Sequence, residues 1–106
     1  MPETAPLAPE HCQTMAQVRA AIDALDADLV RLLARRFGYM RAAARIKTDR
    51  GHVRDEARKA EVIANATALA DALGLPADVI EAMWQRLVEG SIAYELAAWD
   101  KARGGQ

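Results

Sequence analysis

Arg36 stands where an apolar residue is expected. Met15, Val18, Ile22, Leu25, Leu29, Leu32, Met40, Ala43 and Ile46 recur in steps of three and four, the pattern of a helix with one buried stripe. Met15, Ile22, Leu29 and Ala43 share one heptad column, and Arg36 fills its remaining place. A guanidinium facing a core is costly unless it is paired. It is either half of a structural ion pair, with Asp26 or a neighbour's Glu95 as candidates, or a ligand for an anion. Lys47 follows after about three helical turns, so the two cations face one side with backbones about 16 Å apart. Leaning together, they could bracket a small dianion. Taken alone, Lys47 reads as a solvated lysine near a helix end. Arg19 lies near the same face but about 25 Å from Arg36, too far to serve its pocket within one chain. In an antiparallel pair of chains, it could reach the pocket of the partner.

A second polar break falls on the stripe Trp84, Val88, Ser91, Glu95 and Ala98, where Ser91 and Glu95 are one helical turn apart. Ser91 reads as a small packing residue or a polar contact. Glu95 reads as a salt-bridge partner or, in a closed site, as a neutral carboxyl able to donate a hydrogen bond. His11 and His52 have no second His or Cys at ligand spacing, so no metal is expected. There is no glycine-rich phosphate loop and no nucleophile elbow, so neither a nucleotide cofactor nor an acyl-enzyme is expected. The single cysteine, Cys12, excludes an intrachain disulfide, and its neighbour His11 reads as incidental.

These residues need helices to place them. The chain has 106 residues, 52% of them hydrophobic and 27% charged, a composition that folds as one domain. Aromatic residues make up 5%, and no proline occurs between Pro9 and Pro76. An all-α fold follows. A net charge of −1 provides no basic field for nucleic acid or an anionic membrane. No apolar run approaches a membrane span, and the N-terminus lacks the form of a signal peptide, so a soluble cytoplasmic protein is expected. Residues 1–13 hold three of the four prolines and read as a flexible arm ahead of a domain over 14–103.

Thr14 and Gln17 have the form of a capping box opening a long first helix that runs to about Thr48. Asp49-Arg50-Gly51-His52 breaks it. A second helix is expected from near Asp55 to Leu73, with Gly74 as its left-handed terminator. Pro76 is expected in the first turn of a third, which frays at Gly104-Gly105. The first helix, about 50 Å long, exceeds the roughly 33 Å diameter of a compact chain of this size. Its leucine stripe is therefore expected to be covered by a second copy, the long helices antiparallel in a homodimer.

The segments Val18-Arg19-Ala20-Ala21-Ile22-Asp23-Ala24-Leu25-Asp26, Leu32-Leu33-Ala34-Arg35-Arg36, Ala44-Arg45-Ile46-Lys47 and Val53-Arg54-Asp55 with Arg58 resemble the all-helical chorismate mutases. The resemblance extends over about residues 14–100. Pro9-Glu10-His11-Cys12, Arg35-Arg36 and the tail around Trp99 are similar to the sister group, the isochorismate pyruvate lyases. It implies an intertwined homodimer of three-helix protomers, each site borrowing an arginine from the other chain. Arg19 would be the borrowed residue, and Arg36 its counterpart from the pocket's own chain. Lys47 would contact a carboxylate and the ether oxygen of the substrate. Asp55 and Arg58 would close the site from the second helix, Ser91 and Glu95 from the third.

The implied activity is the rearrangement of chorismate to prephenate, an isomerase step of phenylalanine and tyrosine biosynthesis that needs no cofactor. The alternatives are cleavage of isochorismate to salicylate and pyruvate, or a non-catalytic helical interaction module. Two positions depart from common patterns. Lys59 stands where many mutases carry a glutamate, leaving Asp55 as the expected partner of the ring hydroxyl. Glu95 stands where bacterial members often carry glutamine. The lyases resembled here have that glutamine and lack an acid at the place of Asp55, so these positions lean toward the mutases.

Overall fold

Thr14 and Gln17 start the first helix reciprocally. The Gln17 N–H donates to Thr14 Oγ1 at 3.2 Å, while Gln17 Oε1 accepts from the N–H groups of Thr14 at 3.1 Å and Gln13 at 2.7 Å. These bonds satisfy donors that an uncapped helix leaves orphaned. The computed structural model describes residues 7–104, and α1 spans Met15–Ile46. Ahead of it, Pro9–His11 wind one 3₁₀ turn within the segment read as an arm. Residues 1–6 of that arm, and Gly105 at the expected frayed end, lie outside the described residues.

Asp49 ends the run from α1 by accepting the Gly51 N–H at 2.8 Å, which folds Arg50–His52 into a second 3₁₀ turn. The expected break is thus an Asx-type turn. Asp55 then caps α2, Glu56–Ala72, its Oδ1 accepting the Arg58 N–H at 3.0 Å. At the far end Gly74 takes φ 75°. The Leu75 N–H reaches back to Ala70 O at 2.8 Å and the Gly74 N–H to Asp71 O at 3.1 Å, a Schellman closure. A Cβ on Gly74 would meet nothing within 4 Å, so glycine is required there by φ and not by space. The third helix, α3, spans Ala77–Ala102, and Pro76 sits at its N-cap, one place earlier than the first-turn position expected. Its extended ψ of 103° and missing N–H suit a residue that precedes the helix.

The described residues contain three α-helices and no strand, as an all-α protein with a long first helix requires. They divide into two compact units, the first ending at Arg36 and the second beginning at Phe37. In the first, no described residue is buried, and Ile22, Leu25, Leu29 and Leu32 are between 49% and 60% exposed. The second unit carries the core: Val53, Ile63, Val88 and Ile92, with Val62, Trp84, Leu96 and Trp99 packed against it. Burial of these side chains is what joins α2 to α3. Among the described residues, no helix is long and apolar enough to cross a membrane.

An ion cluster spans the outer side of this unit. Arg54 holds Glu89 through two hydrogen bonds, at 2.7 and 3.0 Å, and Glu56 at 2.7 Å, while Lys59 Nζ meets Glu89 at 2.5 Å. Hydrogen bonds from Arg54 and then Lys59 push the Glu89 carboxyl down to about 2. A carboxyl whose folded value lies below its unfolded one stabilises the fold above the unfolded value, and that contribution is lost as pH falls. Glu89 should therefore contribute stability that disappears between its ordinary value of 4.5 and about 2. Thermal unfolding of Glu89→Gln should show a flatter decline than the native chain across that acidic window, with the two curves converging at its lower end.

Candidate functional site

The ends of α1 and α3 meet at one buried carboxyl. Glu95 on α3 is only 4% exposed, and Lys47, the residue after the last turn of α1, places Nζ 2.7 Å from its Oε2. The contact has the distance of an ion pair without the alignment of a hydrogen bond, so Oε2 has no well-directed donor. The short distance provides the attraction, and the missing alignment leaves acceptor capacity on that oxygen. Such an oxygen, buried beside an ammonium, is poised to take part in a further polar contact.

Ser91 lies one turn before Glu95 and is equally buried, which places both on the covered stripe expected from their spacing. Its hydroxyl donates to Leu87 O at 2.7 Å within α3. Asp55 and Arg58 lie at the exposed first turn of α2. The Asp55 carboxylate is engaged as the helix cap, and the Arg58 guanidinium pairs with Glu61 at 2.8 Å. Lys59 is drawn to Glu89 rather than left as an uncommitted substitute for the family glutamate.

Arg36 and Arg19 belong to the first unit, the former half-buried and the latter exposed. Among the seven residues singled out from sequence, the structure directly pairs Lys47 with Glu95 and joins Asp55 to the Arg58 backbone. No group of three or more His, Cys, Asp or Glu capable of holding a metal occurs among the described residues.

Reading by periodicity missed what holds the Lys47 end of α1. The Trp99 indole donates to Lys47 O at 3.1 Å, and Arg103 donates to both Lys47 O and Ala44 O. Arg50 binds Asp100 through two parallel bonds at 2.8 and 3.0 Å, and its guanidinium is shifted further up by them. The available signal was chemical: a tryptophan on a core stripe needs a partner for its N–H.

Residues 18–96 match the family described as chorismate mutase type II. The chain is also 32% identical over 96 residues to the isochorismate pyruvate lyase of Pseudomonas aeruginosa, a match covering 91% of this chain and 95% of the relative. The family match takes in Arg19, Arg36, Lys47, Asp55, Arg58, Ser91 and Glu95 alike, and the chain belongs to the chorismate mutase type II family.

Proposed function

We propose that the protein is a chorismate mutase, converting chorismate to prephenate in cytoplasmic phenylalanine and tyrosine biosynthesis. Family membership supports a substrate of this chemistry, and the pairing of Lys47 with the buried Glu95 is the observation that carries the reading. The rearrangement is intramolecular: the ether C–O bond breaks as a C–C bond forms, with no external nucleophile. Catalysis then consists of holding the folded conformer and stabilising charge that gathers on the ether oxygen. Lys47 supplies the donor for that oxygen. Glu95 orients the ammonium. Because the ether oxygen gains charge only toward the transition state, such donation is differential binding.

Arg36 and an Arg19 borrowed from a second copy clamp the carboxylates with two-pronged geometry. Ser91 accepts or donates at a carboxylate edge, and Asp55 and Arg58 close the site from α2. The exposed Ile22, Leu25, Leu29 and Leu32 support a homodimer built on α1, with 14–103 acting as one catalytic domain.

Cleavage of isochorismate is the second reading, favoured by the 32% identical lyase. It would use the same cations on an isomeric substrate. Separate incubations with chorismate and isochorismate, followed by product identification, discriminate these readings. Prephenate from chorismate is the expected result. Salicylate and pyruvate from isochorismate, without prephenate from chorismate, would replace the first reading with the second. Turnover of neither would leave a non-catalytic helical module.

A further inference from the structure

The last residues of α3 hold the end of α1. A helix leaves its final carbonyls without intrahelical donors. Here the carbonyls of Ala44 and Lys47 are met from the C-terminal end of α3: its C-cap residue, Arg103, places one terminal nitrogen 3.0 Å from Ala44 O and the other 2.5 Å from Lys47 O. The Trp99 indole adds a third bond, to Lys47 O at 3.1 Å. The guanidinium carbon of Arg103 lies 4.1 Å from the Trp99 ring centroid, so the ring seats the fork that grips the backbone. Trp99 itself packs against the Val53, Ile63, Val88 and Ile92 core. A continuous path of contacts therefore runs from the core through Trp99 and Arg103 to the backbone of Lys47.

Two consequences follow for the Lys47 side chain. Its four-carbon stem has many rotamers, so the reach of the ammonium to Glu95 depends on where the backbone is held. Moreover, the C-terminal end of α1 carries partial negative charge, and an ammonium there can turn back onto its own helix's free carbonyls. Arg103 occupies two of those carbonyls and leaves the ammonium to Glu95.

We propose that Arg103, seated on Trp99, is a positioning residue that fixes the Lys47 backbone and so directs the Lys47 ammonium to Glu95. Its catalytic importance rests on Lys47 being the ether-oxygen donor; the positioning itself does not. The test uses the full chain carrying ¹⁵N-labelled lysine, with the Lys47 ammonium resonance assigned by its loss in Lys47→Arg. Arg103→Ala should shift and weaken that resonance, and Arg103→Lys, which retains charge but not the fork, should restore it in part. Trp99→Phe keeps an aromatic ring, though a smaller one, beside the guanidinium and removes the N–H, giving a milder change in the same direction should Arg103→Ala fail to fold.

On whichever substrate the native chain turns over, Arg103→Ala should lower kcat/KM about ten- to hundredfold, chiefly through kcat, as a displaced catalytic group would. In a Lys47→Ala background the same substitution should cost almost nothing more. An unchanged Lys47 resonance in the folded Arg103→Ala and Arg103→Lys variants would overturn the proposal. So would an equal loss of kcat/KM in both backgrounds, the mark of a purely structural residue. If the native chain turns over neither substrate, the functional reading fails and the resonance alone decides the positioning.

Discussion

Arg19→Ala and Arg36→Ala homodimers should each be nearly inactive, and mixing the two should bring activity back. Each arginine is proposed to hold a substrate carboxylate, and removing one partner of a desolvated charge pair costs about 2–5 kcal/mol. That corresponds to a loss of about thirty- to several-thousandfold in kcat/KM. A shared site makes the two defects complementary. In a heterodimer one site takes Arg36 from the Arg19→Ala chain and Arg19 from the Arg36→Ala chain, and is whole; the other lacks both. Random exchange of equal amounts should thus restore about a quarter of the sites of the native dimer. Recovery of that fraction, measured on subunit-exchanged mixtures with heterodimers verified by mass, supports the borrowed arginine. Verified heterodimers with no recovered activity would overturn the shared site, and a monomer by sedimentation would remove the shared architecture altogether.

Lys47→Ala should lose transition-state stabilisation on the scale of a deleted oxyanion donor, about 3–4 kcal/mol. Two separate effects are expected, because Lys47 does two things. It is the proposed donor to the ether oxygen, and it is the cation beside a carboxyl whose side chain is 6% exposed. Deleting it leaves Glu95 buried without that charge, so melting temperature should fall together with activity. Glu95→Gln added to Lys47→Ala separates the effects: a neutral amide relieves the unpaired charge, and melting temperature should recover. Activity should not recover, since the positive donor is still missing. A double variant that regains turnover would reassign Lys47 from chemistry to structure.

Much of the fold was legible because its signals are local. Thr14 with Gln17, Asp55 with the Arg58 N–H, and Gly74 at its left-handed turn each act within a few residues of themselves. Helical hydrogen bonds and caps obey spacing rules that a sequence displays directly. The buried stripe carrying Ser91 and Glu95 was legible for the same reason: periodicity tells which face of a helix is covered. Pro76 missed by one position, within the margin by which a helix start is shared between cap and first turn.

The tertiary structure decided the pairings between helices. Periodicity gives the face of each helix but not the height at which two faces meet; between α2 and α3 that height is set by side-chain packing around Val53, Ile63, Val88 and Ile92. Only at the height observed does Glu95 come opposite Lys47, Glu89 opposite Lys59 and Arg54, and Arg103 opposite the last carbonyls of α1. The amino-acid sequence thus determined which groups had to find polar partners, because burying them alone is costly. Packing chose the partners, because a hydrogen bond or ion pair forms only within about 3 Å, less than the rise of one helical turn.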